Sequence, residues 1–450
     1  MIGLDLVCLA VAAARRAGAD AADAIQIASD SVELRVRADE VEYVKQSRER
    51  TLGLRAFVRG ARGLRTALVS SSDLSKVALE RLAEDAVALA RATAEDPAAG
   101  PPGDGFAREL PELALLDPAD REAPLETRLA AAREAERAAR GVDARIVNSE
   151  GSTASSHFDA LAFASSEGFE GCYEGAYHAL SCAPVAAENG AMQTDWWMSA
   201  SRTLRGLAAP EAVGRRAAER ALGQLGARSV PTQQAPVIFE APAARAVLGN
   251  LVGCLSGSAV YRRSSFLAGR IGERIASEGV SVIDDGRLVG GLGSRPFDGE
   301  GQATRRTVLV ERGRLASFLL DVYSARKLGL RSTGNASRAA ASAPGVSPTN
   351  LWLEPGRESL DELVRNTERG LLVTGLFGQG FNPVTGDFSR GARGFWIEGG
   401  ECVHPVEEVT VAGNLADLLQ GVDRVGSDLL RLGSLGAPSF RVACLTVAGA

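Results

Sequence analysis

Three histidines, six cysteines and a few paired acids are the protein's main resources for metal or nucleophilic chemistry. His157, His178 and His404 are scattered, and only Cys402 and His404 stand close, two apart on an expected strand where they would share a face. Two ligands fall short of a structural zinc site, which takes about four. The pair is therefore read as strand residues. Asp284-Asp285-Gly286 and Asp298-Gly299-Glu300 bring acids together, but acid–glycine pairs ordinarily make turns. Cys254 and Ser256 have no base in view, so a nucleophile is not indicated. No phosphate-cradling or dinucleotide fingerprint stands out. The cysteines lack framework spacing and read as reduced thiols of a cytoplasmic protein.

The densest chemistry runs from Gly375 to Gly400, where glycines are interspersed with Phe381, Phe388, Phe395, Trp396 and several polar residues. Glycine permits positive φ and close backbone approach, and the aromatics imply a core. Bent strands and tight turns are expected here, not a linker. Residues 382–387 read as a turn, 395–397 as a buried strand and 398–401 as a hairpin turn. Asn382, Asp387, Ser389, Arg390 and Arg393 are the candidates for a surface facing a peptide or a partner. Turn stabilisation is the competing role for each.

These residues need a scaffold, and 450 residues with 45% hydrophobic content can build a large core in two or more domains. Fifty glycines and few aromatics favour a turn-rich, β-containing fold. A net charge of −6 gives no reason to expect direct nucleic-acid binding. The start, from Met1 to Arg16, reads as an amphipathic helix and not a signal peptide, and no apolar run is long enough for a membrane span. Strands are expected at 24–28, 31–41, 50–58 and 62–69, with Val32, Leu34 and Val36 on one face. Ser70 to Asp73 offers a cap for a helix over 74–92, and a second helix covers 125–140. Several strands are expected within 145–187, then a helix from Pro210.

Two prolines in 229–236 mark a linker. The expected class is α+β: an N-terminal α+β domain over 1–227 with antiparallel strands and long helices, a linker over 228–236, and a β-rich, glycine-rich domain over 237–450. That second domain is expected to hold a helix over 241–255, strands at 275–289 and 307–320, and a closing strand over 440–447.

The run Phe381-Asn382-Pro383-Val384-Thr385-Gly386-Asp387-Phe388-Ser389-Arg390-Gly391-Ala392, with Gly394-Phe395-Trp396-Ile397-Glu398, resembles the signature of the TldD/PmbA family in its TldE (PmbA) branch. Pro405-Val406-Glu407-Glu408, Ser294-Arg295-Pro296-Phe297-Asp298, Asn148-Ser149-Glu150-Gly151 and Met192-Gln193-Thr194-Asp195-Trp196 extend the resemblance over most of the chain. In the TldD branch a helix carries a zinc-binding His-Glu-x-x-x-His motif. Counting back from Leu255-Ser256-Gly257-Ser258 puts Leu248 and Gly253 at the two histidines and Gly249 at the glutamate. The resemblance therefore implies a cytoplasmic subunit that is not catalytic alone and binds no cofactor itself, zinc being expected in a TldD-like metallopeptidase partner. It further implies a cavity between subunits that holds extended peptides for proteolysis or peptide maturation. Strand addition at the glycine-rich segment is the expected grip. A homodimer of the isolated protein is left open. The alternatives are a modulator of DNA gyrase-related processes and a stand-alone hydrolase.

Overall fold

Apolar residues alternate along the first strands, and the structure turns that alternation into one long sheet with two differently used faces. A computed structural model describes residues 3–449; Met1 and Ile2, at the start of the expected first helix, lie outside the described residues. The order is α1 (Leu4–Arg16), β1 (Ala21–Arg37), β2 (Glu40–Arg59), β3 (Leu64–Ser71), α2 (Lys76–Ala92), β4 (Glu95–Asp96), α3 (Leu125–Arg140), β5 (Ile146–Ser165), β6 (Phe169–Glu188), β7 (Ala191–Thr194), β8 (Trp197–Ser201) and α4 (Pro210–Leu222). The strands form an antiparallel sheet in the order β4-β3-β2-β1-β5-β6-β7, with β8 also on β6.

Ala24, Leu34 and Val36 face one way and are wholly buried under the helices. α1 and α2 cover one end of that face and α3 and α4 the other. Ile25, one position over, faces away from the helices with Phe163 and Phe169 and meets Phe297 of the C-terminal half. The Phe169 and Phe297 rings cross edge-on at 5.1 Å.

Several expected boundaries are corrected. The two strands expected at 24–28 and 31–41 are one strand, because the backbone reverses at Ala38 and Asp39, whose φ values are 56° and 68°. Such turns favour Asn-Gly, so Ala-Asp carried little turn signal. The cap of α2 is Ser75, which accepts from the Ala78 N–H, while Asp73 instead accepts from the Ser75 N–H at 2.9 Å. The strands expected within 145–187 are two strands of 20 residues each, since Ser and Gly there sit in the ladder without breaking it. Of 275–289 and 307–320, only Val282–Asp285, Arg306–Glu311 and Arg314–Leu315 are strands.

After α4 come β9 (Gln233–Phe239) and α5 (Ala241–Leu255). β9 lies between the strands Arg369–Phe377 and Phe440–Ala448. Asp387–Glu398 and Glu401–Asn414 extend the sheet, and Thr410–Ala412 pair back onto Thr446–Ala448, closing it into a barrel. Closure gives each of the five barrel strands a neighbour on both sides over part of its length. A second sheet of six short strands includes Val282–Asp285 and Leu435–Ala437. The apolar side of α5 packs into the core shared with both. The fold is α+β, with 23% of residues helical and strand dominating at 42%.

Candidate functional site

α5 begins at an alanine-rich stretch with Pro242 in its first turn, where the missing N–H costs nothing. Val247, Leu248, Leu251 and Leu255 are buried on one side, and Leu248 borders Val280, Val282, Leu353 and Phe440. Gly249 and Gly253, four residues apart, share the other side, where an added Cβ would meet nothing within 4 Å. The three motif positions therefore divide: one is in the core and two carry no side chain on an open face.

Past Gly253 lies a cavity of about 360 Å³ bordered by Ser256, Ser258 and Arg262. A larger one of about 530 Å³ shares Ser258 and Arg262 and reaches Arg55, Glu300, Asp321 and Tyr323. Its floor is a buried ionic cluster linking the two halves. Asp23 accepts from Arg55 at 2.6 Å and from Arg338 at 2.5 Å, and Arg55 also meets Glu300 at 3.3 Å. Burial pushes the Asp23 carboxyl up, but the two guanidiniums outweigh it and hold it below the usual range. Burial pushes Glu300 up to about 7, with Arg55 only partly opposing it. The acids read as turn formers do sit in turns at 286–287 and 299–300, and Asp284, Asp298 and Glu300 are buried acceptors as well. Asp298 takes N–H bonds from Glu300, Gln302 and Ala336, and Asp284 takes bonds from Asn335 and Thr349. Burial raises both carboxyls to about 6.

Cys254 is buried, and its thiol is pushed up to about 11 by that burial, which removes it as a nucleophile at neutral pH. Ser256 spends its hydroxyl on Ser258 at 2.9 Å. The expected shared face of Cys402 and His404 is corrected. Their partners across the ladder, Ile397 and Trp396, are adjacent, so one extra residue separates them and the alternation breaks. His178, in the sequence only one of three scattered histidines, is wholly buried with its Nδ1 2.7 Å from the Ser156 hydroxyl and its Nε2 3.4 Å from Asp120. Arg128 donates to the same Ser156 Oγ at 2.7 Å, and His178 Nε2 is buried without a hydrogen-bond partner among the described residues. Ser156 is wholly buried too, so this serine–histidine–aspartate arrangement is closed to substrate.

The five candidates from the glycine-rich segment do not converge. Asn382 caps its own turn, accepting from the Val384 N–H at 2.9 Å. Asp387 accepts from Thr385 at 2.7 Å and Asn414 at 2.9 Å, and the Thr385 bond leads in holding its carboxyl below the usual range. Ser389 is exposed, and Arg390 is half-buried with an unpartnered Nε. Arg393 turns inward: it donates to the Thr194 carbonyl at 2.8 Å and pairs with Asp195 at 2.6 Å. The strand-addition expectation is corrected as well. Asp387–Glu398 has Glu401–Asn414 on one edge and Arg369–Phe377 on the other, with Gly380 and Asn382 continuing the second edge. Both edges are taken. Sequence reasoning missed Arg220, which bridges Asp195 and Glu240, and Arg245. The available signal was that Arg245 is the one charged residue in the 15 of α5.

Residues 22–90, 118–225 and 232–449 match the models for domain 1, the central domain and the C-terminal domain of the PmbA/TldA metallopeptidases. The chain belongs to the PmbA/TldE family. It is 37% identical to the metalloprotease PmbA of Escherichia coli O157:H7, over 94% of this sequence and 92% of that protein. It is 34% identical to the PmbA homologue of Haemophilus influenzae, over 98% and 95% of the two proteins. A crystal structure from Bacteroides thetaiotaomicron, described as a modulator of DNA gyrase, superposes with a TM-score of 0.90 at 29% identity, covering 99% and 98%. TldE from Thermococcus kodakarensis shares the fold with a TM-score of 0.85 at 23% identity, covering 98% and 99%.

Proposed function

We propose that this protein is the non-catalytic, TldE-type subunit of a cytoplasmic zinc metallopeptidase, completing with a TldD-like subunit the cavity in which an extended peptide is cut. One observation carries the reading: on α5, Leu248 is packed in the core while Gly249 and Gly253 offer bare backbone to an open face. A catalytic zinc takes three protein ligands and an open position for water. An isobutyl group and two hydrogens supply no ligand, so the residues present do not fit the metal. They supply room instead. The bare face of α5 and the adjoining cavities of about 360 and 530 Å³ support a role in accommodating a peptide backbone.

The test is metal content and peptidase activity of the protein purified without a partner. It should hold no stoichiometric zinc and cut nothing. With a TldD-like subunit it should form a stable complex that cuts extended peptides, and chelator should abolish the cutting. Leu248→His with Gly253→His should not rescue the lone protein, because position 249 still lacks a carboxylate. One tightly held zinc per lone protein, with chelator-sensitive cleavage, would refute the reading and favour a stand-alone hydrolase.

A further inference from the structure

Arg245 is the only charge on α5, and no described residue neutralises it. Among the described residues no carboxylate lies within 4.0 Å of its guanidinium, and its Nε is shielded from water without a partner. A buried N–H left unpaired is costly, so a helix otherwise built of apolar and small residues is an odd place to keep one. The guanidinium lines a cavity of about 170 Å³ whose walls include Trp197, Leu376 and Ala246. Trp196 and Phe377 stand on the same cavity with 43% and 48% of their surfaces exposed, so its mouth is open.

The charge balance of the wall is uneven. Arg220 and Arg393 share Asp195, at 3.1 and 2.6 Å. Glu240, next to the wall, pairs with Arg220 at 2.8 Å. The carbonyls of Thr194 and Thr374 are taken by the same two arginines. Asp195 and Glu240 are thus already engaged by Arg220, Arg393 and Arg216, the last on Glu240 at 3.4 Å, and Arg245 is left over. Its place on the helix matters too: it lies four residues before Gly249 and eight before Gly253, on the same face.

We propose that the Arg245 cavity is a carboxylate-recognition subsite at one end of the peptide path, taking a free peptide C-terminus or an Asp or Glu side chain. The guanidinium fork meets the two carboxylate oxygens, and the aromatic walls cover the short aliphatic stem. A cavity of about 170 Å³ is too small for a nucleotide-sized anion. The proposal rests on the peptide-holding reading above.

The test follows the indole fluorescence of the intact protein, since two of its four tryptophans line the cavity. Three acetylated alanine hexapeptides are titrated: one with a free C-terminus, one amidated, and one amidated with a single glutamate. At least one carboxylate peptide should bind about tenfold tighter than the neutral amide, and which one does so identifies the source. The preference should weaken with salt and vanish in Arg245→Met and Arg245→Gln. Both variants should fold, because they remove an unpaired, poorly solvated charge. Equal affinities for all three peptides, or a preference that survives both substitutions, would overturn the subsite. If the complex with a TldD-like subunit still cuts peptides in that case, only the subsite falls. Failure of the unmodified complex to cut would instead remove the reading beneath it.

Discussion

Gly394→Ala tests whether the glycine-rich segment is shaped by crowding or by backbone conformation. Neither Gly391 nor Gly394 has a positive φ, so the left-handed argument applies to neither. They differ in surroundings. A Cβ on Gly394 would lie 1.7 Å from the Leu372 carbonyl oxygen and 3.0 Å from the Val373 Cα, while one on Gly391 would first meet the Phe377 Cβ at 3.6 Å. The Gly394 obstacle is ladder backbone in a closed barrel, opposite the register shift between Val373 and Gly375, and it cannot rotate away. Overpacking costs about 1–3 kcal/mol. The alanine's loss of unfolded-state freedom returns about 0.4–1 kcal/mol. A backbone clash belongs at the top of the first range, so Gly394→Ala should lose about 2 kcal/mol while Gly391→Ala gains up to about 1 kcal/mol. At roughly 2.1 cal/mol/K per residue, that 3 kcal/mol gap separates the two Tm values by about 3 °C if all 450 residues unfold together. The gap widens if the C-terminal half unfolds alone. Differential scanning calorimetry of both variants measures it. Equal Tm values, or Gly391→Ala as the weaker protein, would refute the crowding argument.

Glu300 carries a pH prediction: its folded value, about 7, lies above the ordinary 4.5, so the native state keeps a proton that the unfolded state releases. Its contribution to stability is complete below about pH 4.5 and is lost as pH rises through about 7, so Glu300→Gln should flatten the fall in Tm across that window; an unchanged profile would contradict the burial argument. Arg393→Met should cost about 1–3 kcal/mol, less than the loss of a sole partner, because Asp195 keeps Arg220. A double-mutant cycle with Asp195→Asn should give a coupling of at least about 0.5 kcal/mol, and strict additivity would show that the pair does not tie the two motifs together.

Helices α3 and α5 were readable residue by residue, at 125–140 and 241–255, because apolar periodicity and Pro or Gly punctuation are local signals. That the side chains of Leu248, Gly249 and Gly253 offer no metal-ligating atom was likewise a matter of residue type alone. The α+β class followed from strand alternation beside long amphipathic helices. What the sequence withheld was everything that depends on two distant segments meeting. Arg393 reads as a polar residue of a turn-rich strand, and only the fold sets it against Asp195 and the Thr194 carbonyl, 199 residues away from the latter. Asp298 and Glu300 sit in the turn that the sequence indicates, but only the fold brings Arg55 against Glu300 and buries both acids in an interior cluster. The glycine-rich strand read as an edge for a peptide, because a one-dimensional pattern carries no record of how many neighbours a strand acquires. The antiparallel strands on either side of it in the chain, Arg369–Phe377 and Glu401–Asn414, filled both sides. Arg245 shows the division most plainly: its oddity on an apolar helix is written in the sequence, but its lack of a partner among the described residues exists only once those residues have been placed in space.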